Sequence, residues 1–317
     1  MTASQLSYLV FIVVVALALL FDLGLLSKKN QSVSMQKALL QTLFWIALAI
    51  GFFVFMWIEN GRTLALQYIS AYLMEWSLSV DNIFVFIIIF NAFKVKEIHY
   101  GRVLLAGILM AIFCRVLFIT VGVALVHQFE WILYLFGVFL LYTGYKMFTA
   151  NEEQEMVPQE TKVYLWLKKY LPLAAHDGGG RYVVRENGRP VYTTLFVVIV
   201  LLAVVDLVFA LDSIPAVMGI SLNRMVIYTS NIFAVLGLRS LFFLLRSAVS
   251  KFDYLQQGIA FVLIFIGSKM LAEPWIAQWI DTNTQVVLSL LVIVSSILGS
   301  ILYSIYHQKK GVPPDIR

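Results

Sequence analysis

Charged residues are scarce in this chain of 317 residues: only 13% are charged, whereas 61% are hydrophobic and the mean hydropathy is +0.87. A soluble globular protein has about 25% charged and about 45–50% apolar residues. The scarcity of charge therefore excludes an ordinary soluble domain and indicates an integral membrane protein. The net charge of +5 does not indicate nucleic-acid binding, because the basic residues lie in short loops between apolar runs, where they report membrane topology.

Cysteine is almost absent, and this limits the available chemistry. Cys114 is the single thiol, so no intramolecular disulfide, CxxC redox pair or thiolate metal cluster can form. The sequence also lacks a GxxxxGK[ST] loop, which leaves direct ATP hydrolysis unsupported. We therefore expect neither an enzyme nor a bound cofactor. The four histidines are predicted in loops or at termini, at His99, His127, His176 and His307.

Long apolar runs make up most of the remaining chain. Each run has about 18–25 residues, enough to cross the roughly 30 Å hydrocarbon layer as a helix. Their continuous rather than alternating hydrophobicity favours helices over a β-barrel. The predicted fold class is therefore an all-α polytopic membrane protein. Its nine transmembrane helices are predicted at 5–27, 37–58, 69–93, 103–126, 130–149, 192–218, 226–248, 255–272 and 284–306.

The distribution of basic residues predicts the orientation of these spans. Lysines and arginines concentrate in the loops after spans 1, 3, 5 and 7 and in the C-terminal tail, whereas the opposite side holds Arg62 and Arg224. Basic loops remain in the cytoplasm, so we expect the N-terminus outside, the C-terminus in the cytoplasm and the lipid bilayer as a partner. The first run is expected to remain as an anchor, because Lys28 and Lys29 follow it, whereas the basic residues of a signal peptide precede the apolar run.

The longest polar segment, residues 150–191, is predicted to be a cytoplasmic loop. Its stretch 164–170 is amphipathic. Further along, Asn187-Gly188 favours a type I′ turn between the extended stretches 182–185 and 189–192, which predicts a β-hairpin. A structural linker is favoured over a regulatory or partner-binding role for this loop.

Two acidic helices resemble each other closely enough to indicate an internal repeat. Glu75 and Asp81 recur as Asp206 and Asp212, 131 residues later, and the segment 144–147 recurs as 267–270. Each repeat has an odd number of spans, so we predict an inverted repeat of spans 3–5 and 6–8, with a binding site near the membrane midplane. The predicted divisions are a two-helix extension (1–68), the first repeat (69–149), the loop (150–191), the second repeat (192–272), and the ninth helix with its tail (273–317).

The carboxylates inside these apolar helices need a partner or a use. Inserting one carboxylate at the centre of a membrane helix costs a free energy of roughly 2.5–3.5 kcal/mol on insertion scales. On an ideal helix Glu75, Ser79 and Asn82 share one face, and so do Asp206 and Ser213. Each repeat therefore presents a stripe of oxygen ligands.

Other oxygen donors lie off these stripes. Asp81 and Asp212 point about 120° away on an ideal helix. They join the site only if neighbouring helices surround it or if a helix unwinds, as Pro215 permits by removing a backbone hydrogen bond. Asn231 is a further candidate ligand, and Asp22 is either a ligand or an interfacial residue.

This ligand set of carboxylate, amide, hydroxyl and carbonyl oxygens is typical of sites for hard divalent cations such as Mn²⁺, Mg²⁺ or Ca²⁺. Arg115 and Arg239 each lie on the helix that follows an acidic helix. We expect them to act as structural counter-charges for empty carboxylates rather than as substrate ligands. A set of purely structural ion pairs is the alternative.

A resemblance to the TerC family of integral membrane proteins, and to its Alx-like branch, is carried by EWSLSVDN at 75–82, FALDSIPA at 209–216 and SNIFAVLGLR at 230–239. The resemblance extends over nearly the whole chain. It implies a nine-helix protein of bacterial inner membranes, related to cation exporters with three-helix repeats. It also implies a role in manganese export, membrane redox modulation or tellurium resistance. By position, the family's acidic residues fall on Glu75, Asp81, Asp206 and Asp212.

We therefore expect a divalent-cation exporter that moves Mn²⁺ out of the cytoplasm by alternating access, with Ca²⁺ and Mg²⁺ as open alternatives. A gradient must supply the energy, and counter-transport of protons is one option. The competing hypotheses are a membrane-bound redox modulator and a tellurium-resistance-associated membrane protein without direct metal transport. The single thiol argues against the first, and the acidic site argues against an oxyanion as substrate. The sequence does not specify the oligomeric state.

Overall fold

The computed structural model describes residues 3–26, 34–149, 158–186, 188–246 and 254–309. Within these ranges the chain forms ten α-helices, one 3-10 turn (Pro158–Glu160) and one two-stranded antiparallel sheet. The helices are α1 (Ala3–Leu26), α2 (Met35–Asn60), α3 (Arg62–Ala92), α4 (Glu97–Gln128), α5 (Ile132–Thr149), α6 (Lys162–Tyr170), α7 (Thr194–Ile220), α8 (Arg224–Leu245), α9 (Leu255–Trp279) and α10 (Thr282–Lys309). The strands are β1 (Val183–Glu186) and β2 (Arg189–Tyr192).

Eight of these helices, α2 to α5 and α7 to α10, are long and apolar enough to cross a membrane. The structure is therefore that of an all-α polytopic membrane protein. The first predicted span coincides with α1, whose apolar stretch Gln5–Leu20 is shorter, so a ninth crossing remains a prediction. Three helices extend by six or seven residues beyond the predicted spans. Helices α3 and α4 begin at Arg62 and Glu97, and α9 ends at Trp279, because the helical backbone continues beyond the apolar run.

Helix α7 is continuous through Pro215. The alternative in which α7 unwinds next to Asp212 is therefore wrong for this conformation. Proline removes one backbone hydrogen bond, but buried neighbours such as Ala210 and Ile214 hold both halves of the helix in the core. Packing of this kind lets membrane helices tolerate proline.

Helices α5 and α9 approach each other closely enough for their backbones to touch. A Cβ atom added to Gly144 would lie 2.9 Å from the carbonyl oxygen of Ala260, and one added to Gly267 would lie 2.8 Å from the carbonyl oxygen of Gly137. No larger side chain fits at these glycines without a shift of the backbone. Small residues allow such backbone contact between membrane helices, so α5 and α9 form a closely packed pair.

The predicted hairpin is confirmed. Strands β1 and β2 pair with Val183 opposite Tyr192 and Glu186 opposite Arg189. Gly188 has φ of 77°, a value typical of the tight turns that join hairpin strands, whereas Asn187, the other predicted turn residue, lies outside the described residues. The predicted amphipathic stretch forms α6, which begins after the capping residue Thr161.

The segment 158–193 packs against the start of α4. Asp177 forms an ion pair with Lys96 at 2.8 Å, and its Oδ2 lies 3.7 Å from Nε2 of His99. The hydrogen bond from Lys96 and a second one from the backbone N–H of Gly179 hold the pKa of Asp177 below its usual value. The prediction that His99 lies in a loop or at a terminus was wrong, because it belongs to α4 and is buried. We call the end of the helix bundle that carries this segment the hairpin side.

Candidate functional site

A buried arginine lies at the centre of the bundle. Arg115 on α4 is 2% exposed. Its Nε and Nη2 atoms donate hydrogen bonds to the two carboxylate oxygens of Asp206 on α7, at 2.7 and 3.1 Å. Its Nη1 donates to Oε2 of Glu75 on α3 at 2.8 Å and to the amide oxygen of Asn231 on α8 at 2.9 Å. Four helices thus meet at one guanidinium group, and we call these four residues the arginine cluster.

The arginine cluster joins the two predicted repeats. Arg115 was expected to pair with a carboxylate of its own repeat, as it does with Glu75, but it also binds Asp206 and Asn231 from the other repeat. The guanidinium group matches the fork of a carboxylate with two parallel hydrogen bonds. The geometry at Asp206 is of this bidentate kind.

The charges in this cluster do not balance when both carboxylates are ionised. Glu75 and Asp206 then carry two negative charges, and Arg115 supplies one positive charge. Buried charges are tolerated when they are paired. The excess negative charge therefore makes the cluster a place where a further cation, or a proton, is electrostatically favoured.

Two buried oxygen atoms on the Glu75 face of α3 lack a well-formed hydrogen bond within the described part of the chain. They are Oε1 of Glu75 and the hydroxyl oxygen of Ser79, although the Ser213 hydroxyl lies beside the Glu75 carboxylate. Buried polar atoms in folded proteins are nearly always satisfied. Because Ser79 is four residues after Glu75, it lies on the same helix face, so this face offers spare oxygen ligands next to Arg115.

Asp212 occupies a different environment. It is half-buried, and its Oδ1 accepts a hydrogen bond from the hydroxyl of Thr143 on α5 at 3.1 Å. It lines a cavity of about 250 Å³ on the hairpin side, between α3, α5, α7 and α9. Asn82, Lys146, Ser213 and Gln256 are among the other lining residues. We call this the hairpin-side cavity.

Ser213 connects this cavity with the arginine cluster. Its side chain lines the cavity, and its hydroxyl oxygen lies 3.5 Å from Nη1 of Arg115. The cavity therefore ends beside the ionic centre. Polar residues of α3 and α7, Asn82 and Asp212, lie along its wall.

The remaining predicted site residues are Asp22, Asp81 and Arg239. The side chains of Asp22 and Asp81 lie outside the described part of the structure. Arg239 is half-buried on α8. Among the described residues, no three His, Cys, Asp or Glu side chains gather into a group able to hold a metal ion. In this conformation Arg115 lies between Glu75 and Asp206, and Asp212 does not join them.

Thr143 is the site residue that the sequence did not indicate. It was missed because its role depends on the contact between α5 and α7, which no pattern within one helix reveals. Lys146, one turn further along α5, had been noted as part of the repeated segment 144–147. The recurrence of this segment is the feature of the sequence that could have pointed to the α5 wall of the cavity.

The fold and the cluster together define a polytopic α-helical membrane protein with a buried ionic centre that joins four of its helices. The chain belongs to the integral membrane protein TerC family, whose profile matches residues 60–311. No solved structure matches the chain.

Relatives of nearly the same length are similar over most of the chain. An "Uncharacterized membrane protein STKORF319" of Myxococcus xanthus is 38% identical over 294 residues, which cover 93% of this chain and 91% of the relative. An uncharacterised membrane protein of Rickettsia prowazekii is 36% identical over 302 residues, or 95% of this chain and 99% of the relative. The Escherichia coli protein described as "Putative membrane-bound redox modulator Alx" is 36% identical over 310 residues, or 95% and 96% of the two chains.

Proposed function

We propose that the protein exports a divalent metal cation, with Mn²⁺ as the first candidate, across the bacterial inner membrane by alternating access. The observation that carries the proposal is the arginine cluster, in which Glu75 and Asp206 come from opposite repeats and share one internal cation, Arg115. A transported cation needs acidic ligands at depth in the membrane. It also needs something to neutralise those ligands when it has left, and Arg115 supplies one of the two positive charges required.

In this mechanism the cation enters through the hairpin-side cavity and competes with Arg115 for the carboxylates. The spare oxygens of Glu75 and Ser79 lie beside the contested position. Oxygen ligands favour hard cations, and Mn²⁺, Mg²⁺ and Ca²⁺ all accept them. The guanidinium group returns to Glu75 and Asp206 once the cation has left. The empty carrier therefore never exposes two unpaired carboxylates to the low-dielectric interior, which would oppose its reorientation.

The α5–α9 contact supports an inverted repeat of α3–α5 and α7–α9. At the repeat offset of 123 residues, Gly137 corresponds to Ala260, and Gly144 corresponds to Gly267. Two backbone contacts between these helices, Gly137 with Gly267 and Gly144 with Ala260, exchange with each other under this correspondence. Such a pattern is expected of a pseudo-two-fold axis between two inverted units, around which transporters alternate.

The orientation and the energy source complete the proposal. The basic residues on the hairpin side favour its location in the cytoplasm, with the N-terminus outside. Protons moving inward in exchange for the metal would supply the energy, because a carboxylate that loses its cation can bind a proton. The protein acts as a transporter without a bound cofactor or an enzymatic step.

Glu75→Gln provides the test, since it removes the excess negative charge and leaves the Arg115–Asp206 pair intact. Uptake of Mn²⁺ into inside-out vesicles should fall at least a hundredfold, while the variant remains as stable as the wild type because its cluster is neutral. Glu186→Gln on the exposed hairpin is the matched control and should transport normally. Normal uptake by Glu75→Gln would remove the cluster from the transport path.

The description of the Escherichia coli relative favours one second candidate, a membrane-bound redox modulator. A thiol-based role would depend on Cys114, which is half-buried on α4. Cys114→Ser in the vesicle assay separates the two functions, because cation export does not need the thiol. Loss of function in a well-expressed Cys114→Ser protein would favour the redox role.

A further inference from the structure

A second cavity lies at the end of the bundle opposite the hairpin side. Its volume is about 300 Å³, and it lies among the starts of α3, α5 and α10 and the ends of α7 and α9. Gln67, Ser221, Lys269, Glu273 and Gln285 contribute its polar lining. We call it the far-side cavity.

The two cavities are lined by residues from equivalent positions of the repeats. Lys146 and Met147 line the hairpin-side cavity, and Lys269 and Met270, 123 residues later, line the far-side cavity. In a third pair with the same offset, the residue from the second repeat lines the hairpin-side cavity and the residue from the first repeat lines the far-side cavity. Gln256 lines the hairpin-side cavity and Leu133 lines the far-side cavity, which is what an inverted repeat requires.

Each lysine shares its cavity with a carboxylate. Lys146 lies with Asp212 in the hairpin-side cavity. Lys269 lies with Glu273 in the far-side cavity, and the two are four residues apart, so they lie on one face of α9. An ammonium group near a carboxylate lowers the affinity of that carboxylate for any other cation, because both are attracted to the same negative charge.

We propose that Lys146 and Lys269 are tethered competitors that set the affinity for a divalent cation separately on the two sides of the membrane. Lys146 competes with the entering cation for Asp212, and Lys269 competes with the released cation for Glu273. This inference rests on the proposed function and adds a specific role for two residues outside the arginine cluster. It makes cation binding in each cavity weak enough for the ion to move on, as conduction through successive sites requires.

Cysteine protection in each cavity tests the inference without relying on transport. Gln256→Cys and Leu133→Cys, each in a Cys114→Ser background, place a single reporter thiol in the hairpin-side and far-side cavities respectively. The rate of reaction with a maleimide is measured in detergent at increasing Mn²⁺, and the half-protecting concentration reports binding in that cavity.

The expected results are specific to one side. Lys146→Gln should lower the half-protecting Mn²⁺ concentration about tenfold, or about 1.4 kcal/mol, at the Gln256→Cys reporter and leave the Leu133→Cys reporter unchanged. Lys269→Gln should lower the half-protecting Mn²⁺ concentration at the Leu133→Cys reporter and leave the Gln256→Cys reporter unchanged. The variants Lys146→Arg and Lys269→Arg keep the charge and should behave as the wild type, as should Lys162→Gln on α6, which removes a lysine that lines neither cavity.

Three outcomes overturn the inference: no shift at either reporter, no protection by Mn²⁺, or equal shifts at both reporters from one substitution. A separate uptake assay in vesicles distinguishes the failure of the proposed function. If the shifts occur but Mn²⁺ is not transported, the lysines are cation competitors in a protein that is not a manganese exporter. If Mn²⁺ is transported but the shifts are absent, the lysines have no such role.

Discussion

Arg115 holds two buried carboxylates in place, so its removal should be costly. Arg115→Gln deletes the charge-assisted hydrogen bonds to Glu75 and Asp206, which measure 2.7 to 3.1 Å. Breaking a buried ion pair by removing one partner costs about 3–5 kcal/mol, because the other charge is left uncompensated. We expect a loss in this range, measured at pH 7 by titration with sodium dodecyl sulfate in mixed micelles and followed by circular dichroism. Arg185→Gln on the exposed face of β1 should change stability by less than about 0.5 kcal/mol.

The same variant tests whether the carboxylates accept a metal. Without Arg115, a divalent cation becomes the available counter-charge, so Mn²⁺ should stabilise Arg115→Gln more than the wild type. At a concentration of 100 times Kd the gain is about 2.7 kcal/mol. Adding Asp206→Asn should recover part of the lost stability and remove part of this gain, because one stranded charge disappears. An Arg115→Gln protein as stable as the wild type would refute the structural reasoning, and equal effects of Mn²⁺ on both proteins would refute the cation site.

Two further predictions concern the packing and the polar segment. Gly144→Ala should destabilise the protein by about 1–3 kcal/mol in the same titration, because the new Cβ would lie 2.7 Å from Cγ1 of Ile264 and 2.9 Å from the Ala260 oxygen. The control is Gly51→Ala on α2, where nothing lies within 4 Å, and it should be neutral or slightly stabilising. Equal effects of the two substitutions on stability would contradict the close contact at Gly144. Asp177→Asn should accelerate hydrogen exchange of residues 172–192 at pH 7. The free energy of local opening should fall by less than about 1 kcal/mol, because the ion pair is partly exposed. The pKa of Asp177 is lowered in the folded state, so its contribution is present above the unfolded value of about 3.9 and is lost as the pH falls through the folded pKa. The difference between the two proteins should therefore shrink as the pH falls below about 3.9, and a difference that does not shrink would contradict the assignment.

The sequence predicted the helices well because a membrane span must be a long apolar run. It predicted the hairpin because Asn187-Gly188 is a strong local turn signal. It did not predict the starts of α3 and α4, because the polar residues from Arg62 and from Glu97 extend those helices beyond the apolar part. A transmembrane helix need not end where the hydrocarbon ends.

For the site, helical periodicity placed Glu75 and Ser79 on one face, and spacing in the chain related Arg115 to an acidic helix. Periodicity could not show that the arginine would take its second carboxylate, Asp206, from the other repeat. It also could not show that Asp212 would bond to Thr143. Such contacts depend on which helices become neighbours, and this is decided by close approaches such as that of α5 to α9.

The segment 158–193 connects the start of α4 with the start of α7 on the hairpin side. It contacts Lys96, the residue before α4, and the ring of its Tyr182 lies under the guanidinium group of Arg102 on α4 at 5.6 Å. Its last residue, Thr193, is followed directly by α7. A movement of α7 relative to α4 would therefore either break these contacts or carry the segment with α4 and bend the chain near Thr193. The strength of a few surface contacts, far from the arginine cluster, would thus limit any such movement on that side.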